Sequence, residues 1–207
     1  MATHMLRRGR HAGRVTRNVG DSGARRGERG AALVEAAIVT PLLLMLVFGI
    51  IEFGFAFKDT LTLANGSRSG ARVASAAGTD PSADWFVLQA VKGATGSLAN
   101  VNEIVVFKAT GPNGVVPASC ASGTPSGGSC NVYTAADLLI DQPTFLSASY
   151  TKKNSWLATS RQTSISAVGG PDYLGVYIRA LHTSAMQAIV PSRNLTDTVV
   201  MRLEPTR

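Results

Sequence analysis

Ala36–Phe57 reads AAIVTPLLLMLVFGIIEFGFAF, and the fold turns on how that stretch is read. From Ala36 to Ile51 no residue is charged. Glu52 interrupts, and Phe53, Gly54, Phe55, Ala56 and Phe57 resume. At ~1.5 Å per residue the stretch makes roughly 33 Å of helix, enough to cross a ~30 Å hydrocarbon layer. A buried core helix of a soluble protein would be as apolar, so the flanking charges matter. Eight arginines precede the stretch and Lys58 follows it directly. The positive-inside rule then sets the N-terminus in the cytoplasm and the C-terminal body outside, on a single-pass anchor in the cytoplasmic membrane. A cleaved secretory signal fits poorly. Its apolar core would run ~7–15 residues with a small-residue site close behind, whereas Ala74-Ser75-Ala76, the best such triplet, is distant. The pairs Arg7-Arg8 and Arg25-Arg26 suggest a twin-arginine signal, but Glu35 in the apolar onset argues against one.

The charge of the whole chain sharpens this reading. Its 207 residues carry a formal net charge of +7. Within residues 1–30, eight arginines stand against Asp21 and Glu28, a net +6, which leaves +1 for the rest. The body is therefore no nucleic-acid surface, and the arginine run lacks the interleaved aromatics of a nucleic-acid module. It suits anionic lipid at the inner leaflet. Residues 1–30 are rich in Arg and Gly without apolar periodicity and read as a disordered leader. The body, at 45% hydrophobic and 6% aromatic for the whole chain, has to build its core from aliphatic side chains.

The leader meets the apolar stretch at Arg25-Arg26-Gly27-Glu28-Arg29-Gly30-Ala31-Ala32-Leu33-Val34-Glu35. A carboxylate at the edge of a membrane span is costly and usually has a partner. Cleavage after Gly30 would give Ala31 a free ammonium, and Glu35 of one subunit could pair with the Ala31 ammonium of its neighbour. Such a pair would set the register of stacked helices. This junction, with Pro41-Leu42-Leu43-Leu44 and Phe48-Gly49-Ile50-Ile51-Glu52-Phe53-Gly54, resembles the N-terminal region of TadE-like proteins. These are minor pilins, or pseudopilins, of the tight-adherence (Flp, type IVc) pilus system. Pro171–Val176 and Val200–Pro205 look like the closing strands of actinobacterial members. The resemblance implies processing by a prepilin peptidase between Gly30 and Ala31, with Glu35 as the assembly glutamate. It also implies a structural or accessory role alongside other pilin-like subunits and the pilus machinery, with no enzymatic activity and no cofactor. Family members often carry an aromatic after that glutamate, where this chain has Ala36.

Four segments follow: a leader (1–30), a transmembrane helix (31–57), a helical extension (58–79) and an extracytoplasmic domain (80–207). Pro41 frees the Ala37 carbonyl and is expected to kink or loosen the span. Glu52 lies about 25 Å along the helix from Glu35, too far to share a site. It is expected at the outer interface near Lys58, either as an exposed charge or as a pairing point with another pilin helix. Gly66 and Gly70 form a small-xxx-small pair, which serves either helix association or packing onto the chain's own domain. Gly78-Thr79-Asp80-Pro81 stops the helix.

Beyond it a short helix runs to about Gly93, Val101–Ala109 reads as a strand, and 117–130 as a loop. Thr134–Ile140 reads as a short helix, Gln142–Gly170 as a strand plus a long loop, and Asp172–His182 and Thr196–Leu203 as strands. The class is α+β, a pilin-like antiparallel sheet on a long N-terminal helix. Cys120 and Cys130, the only two cysteines, are expected to form a disulfide in an oxidising compartment. A metal set is not expected, because no matching His pair accompanies them. His182 reads as a satisfied or solvent-facing side chain. Asp84, Glu103, Asp137, Asp141 and Asp172 show no motif spacing. The alternative function is a permanently anchored protein whose outer domain binds a ligand or hydrolyses one.

Overall fold

The computed structural model describes residues 24–96, 98, 100–123, 125, 128–150, 153–187 and 190–205. It divides into two compact units, one ending at Val47 and the other running from Phe48 to Arg207. In the first, the described residues all belong to one helix, α1 (Ala24–Ala77), which continues into the second. Ala and Leu, both strong helix formers, are its commonest residues, and the helix runs unbroken through Pro41. It begins earlier than expected. Residues 24–30, read from sequence as leader coil, are helical, because Arg25, Arg26, Glu28 and Arg29 favour a helix despite Gly27 and Gly30. The leader expectation for 1–23 lies outside the described residues. At the other end Gly78 takes a left-handed φ of 53° and its N–H donates to the Ala74 carbonyl at 3.3 Å. A residue with a Cβ is strained in that cap.

The second unit is an antiparallel five-stranded sheet in the order β3-β2-β1-β4-β5, with α1 and α2 on one face. The elements after α1 are α2 (Ala83–Thr95), β1 (Val101–Ala109), α3 (Ala118–Ala121), β2 (Cys130–Tyr133), α4 (Gln142–Leu146), β3 (Lys153–Asn154), β4 (Tyr173–His182) and β5 (Arg193–Arg202). Two short 3-10 turns, Ala135–Leu139 and Ala158–Ser160, sit between them. β1 is central, paired with β2 on one side and β4 on the other. Its run Ile104–Phe107 is buried on both faces, which is why the sequence there is continuously apolar rather than alternating. Ile104 and Val106 face α1 and α2, together with Leu174, Val176 and Ile178 of β4. Val105 and Phe107 face the opposite side with Tyr177 and Val132. That side is covered by α3, and the Cys120–Cys130 disulfide joins this cover to β2.

Several elements differ from the sequence reading. The 117–130 loop contains α3, and Cys130 opens β2, a strand too short to show a pattern. The helix expected over 134–140 is a 3-10 turn, held by a capping box between Thr134 and Asp137. Segment 142–170 holds α4 as well as the short strand β3. β5 begins at Arg193 rather than Thr196, because it pairs with β4 as far as His182.

Gly175 in β4 marks the closest approach in the sheet. A Cβ there would stand 2.2 Å from the Phe107 ring. Gly175→Ala is expected to cost about 1–3 kcal/mol by overpacking, read as a lower denaturation midpoint. Adding Phe107→Leu should recover part of the loss, so the double substitution should be less destabilised than the sum of its parts.

Candidate functional site

α1 changes its environment along its length. Residues 30–51 are all exposed. Gly30–Ala77 is long and apolar enough to cross a membrane, and its most apolar window has no buried residue. A core helix would be buried there. From Glu52 a buried stripe begins and includes Ala56, Leu63, Gly66, Ser67, Gly70, Ala71 and Ala74. Gly66 and Gly70 pack on the chain's own domain. A Cβ on Gly66 would meet Thr95 Cγ2 at 2.5 Å, and one on Gly70 would meet Val91 Cγ2 at 2.9 Å.

Gly30, Ala31 and Glu35 lie on the exposed part of α1. Ala31 and Glu35 are four apart and share a face. Among the described residues no side chain is paired with Glu35.

Glu52 is not an exposed interfacial charge. It is 6% exposed, and its partners come from the same chain. Glu52 Oε1 lies 3.2 Å from His182 Nε2, while the Ala185 N–H donates to Oε2 at 3.0 Å. The other ring nitrogen, Nδ1, stands 2.8 Å from Asp59 Oδ2. His182 is thus satisfied at the end of β4, between two carboxylates one heptad apart on α1. Sequence reasoning placed Glu52 and His182 apart. The available signal was the Glu52/Asp59 spacing, which puts both on the face that packs.

Residues 30–72 match the family model described as TadE-like protein. This segment resembles TadE-like proteins. The match starts at Gly30, takes in the apolar run and Glu52, and ends within α1 on the stripe that packs against α2 and β4. No curated protein and no solved structure matches the chain. The TadE-like segment is therefore the exposed apolar helix together with the seam that receives the sheet.

A second buried polar cluster ties α2 to β2 and the segment after β3. Asp84 Oδ2 accepts from Asn131 Nδ2 at 2.5 Å and from the Tyr133 hydroxyl at 2.7 Å. Asp84 Oδ1 pairs with Arg161, whose side chain is fully buried and stacks over Trp156. Burial first, then the Asp84 charge, pushes the Tyr133 phenol well above its ordinary range. The other carboxylates do not converge on Asp84. Glu103 pairs with Arg179, Asp172 with Lys108, and Asp137 with Tyr150, while Asp141 caps α4 through the Thr144 N–H. Among the described residues no group of three or more His, Cys, Asp or Glu is placed to hold a metal ion.

Arg161→Met would leave the Asp84 charge buried and is expected to cost about 3–5 kcal/mol. Asp84→Asn combined with Arg161→Met should recover much of that loss. Chemical denaturation of the full chain in detergent measures both. The raised Tyr133 pKa gives a pH test. The folded value exceeds the unfolded 10.0, so the stability it contributes is complete below the unfolded value and declines as pH rises toward the folded one. Tyr133→Phe is expected to lower stability by about 1 kcal/mol at neutral pH and to make the fall at alkaline pH shallower. Tyr150 and Tyr177, shifted the same way, keep a residual slope.

Proposed function

We propose that this chain is an exported TadE-like minor pilin, or pseudopilin, acting as a structural or accessory subunit of a tight-adherence pilus. The observation that carries the reading is the family match over 30–72, falling on a helix whose first part is exposed and apolar and whose second part anchors a domain. A subunit of this kind needs both parts: one to reside in lipid or among neighbouring helices, and one to carry the outer domain. On this reading a prepilin peptidase cuts between Gly30 and Ala31, and the arginines of the leader hold the N-terminus inside until then. Removing residues 1–30 discards a net +6 of side-chain charge. Glu35 then neutralises an Ala31 ammonium on assembly, which removes two unpaired charges from lipid together. The disulfide fits a domain that folds outside the cytoplasm. The role is structural, with partners among the other pilin-like subunits and the assembly machinery.

N-terminal sequencing of the protein from cells with an active prepilin peptidase should begin at Ala31. Intact leader in such cells overturns the processing claim. Glu35→Gln should leave the protein in the membrane but reduce its co-purification with other pilin-like subunits by an order of magnitude. Unchanged recovery of those subunits would remove Glu35 from assembly.

A further inference from the structure

Ala185, in the loop between β4 and β5 (described over 183–187 and 190–192), is fixed to α1 at a height that the apolar run itself defines. The Ala185 N–H donates to Glu52 Oε2 at 3.0 Å, and Glu52 stands five residues before Phe57, the end of that run. Five residues are about 7.5 Å of helix, which is the depth to which an interfacial element sinks past the headgroups. At the same height Ile50, Phe53, Phe55 and Phe57 of α1 are exposed.

The loop is composed for that depth. Between His182 and Arg193 the chain reads TSAMQAIVPS, without a charged residue. Arg193, directly after it, is exposed, and among the described residues no carboxylate pairs with it. A cavity of about 200 Å³ opens here, lined by Gly49, Phe53, Ala56 and Val190 together with Arg193 and the mutually paired Glu52 and His182. A guanidinium beside an apolar wall, level with the end of a span, suits a phospholipid phosphate with its acyl chains alongside the helix. The Glu52–His182–Asp59 cluster has a place in the same scheme. It satisfies the Glu52 carboxylate from within the chain, so Glu52 brings no unpaired charge to the boundary.

We propose that the β4–β5 loop and Arg193 form a second membrane contact, which seats the base of the outer domain on the phospholipid surface of the outer leaflet. This rests on the reading of residues 36–57 as a membrane span. Continuity with that span favours lipid over a protein partner at this face.

The test uses the full chain reconstituted in vesicles of phosphatidylcholine and phosphatidylglycerol. Because Cys120 and Cys130 are joined, a single introduced thiol can be labelled with a fluorophore. Gln187→Cys and Ser192→Cys report on the loop, and both positions are exposed. Leu46→Cys reports on the span. Val168→Cys, exposed near the opposite end of β4, reports on the far side of the domain. The loop and domain labels are read with a nitroxide lipid labelled near the headgroup, Leu46→Cys with one labelled deep in the acyl chain, and all of them with aqueous iodide. The expected result is lipid quenching at Gln187→Cys and Ser192→Cys several-fold above that at Val168→Cys, and lower still when Arg193→Glu is added. Loop labels quenched by iodide alone would show the domain standing clear of the bilayer and overturn the proposal. Loop labels shielded from both quenchers would show a neighbouring subunit on this face and also overturn it. An unquenched Leu46→Cys in lipid would overturn the span reading itself, whereas a quenched Leu46→Cys with unquenched loop labels overturns the loop contact alone.

Discussion

The close approach of α1 to α2 and β4 at Gly66 and Gly70 is the constraint on which the C-terminal domain depends. There is no room for a Cβ at either glycine without moving Thr95 or Val91. The seam is therefore written in Gly, Ser and Ala, residues that bury little apolar area of their own. Its partners supply what it lacks. Val87, Leu88 and Val91 from α2 and Leu174, Val176 and Ile178 from β4 are all fully buried. A backbone brought this close gains dispersion contacts along its whole length. The helix thereby keeps its large apolar side chains, Leu33 to Phe57, for the exposed side.

That division explains what was legible in the sequence. The apolar run, the stop at Gly78, the strand at Val101–Ala109 and the two faces of β4 all follow from strong local patterns. Leu174, Val176, Ile178 and Ala180 alternate with Tyr173, Gly175, Tyr177 and Arg179; the first set lies in one core, while Tyr173 and Tyr177 of the second pack in the other. β2 and β3 left no such pattern, being four and two residues long. They are strands because β1 and Cys130 place them beside an open edge, which is a tertiary cause rather than a local propensity.

The polar clusters were illegible for a related reason. Asp84 stands in the first turn of α2, where an acidic residue is ordinary helix chemistry. Nothing local says that it is buried, or that Asn131, Tyr133 and Arg161 reach it from as far as 77 positions away. Glu52 was visible as an interruption in an apolar run. Its partner lies 130 positions away, and only the pairing of β4 on α1 brings the two together. The disulfide was easier to anticipate, since two cysteines leave one choice of pairing.

Burial of ionic groups is poor evidence for stability, because their desolvation offsets their attraction. Their stronger consequence here is register. A seam of small residues repeats every turn, so sliding the domain along α1 by one turn, about 5.4 Å, would replace one shallow groove with another. The apolar contacts alone discriminate weakly between such positions. The hydrogen bonds do not tolerate the slide. Glu52 would lose the Ala185 N–H and His182 together, and the Ser67 hydroxyl would lose Asp197. Each loss would strand a buried polar group at a cost of about 1–3 kcal/mol. The glycines let the domain come close, and the charges determine where along the helix it stops.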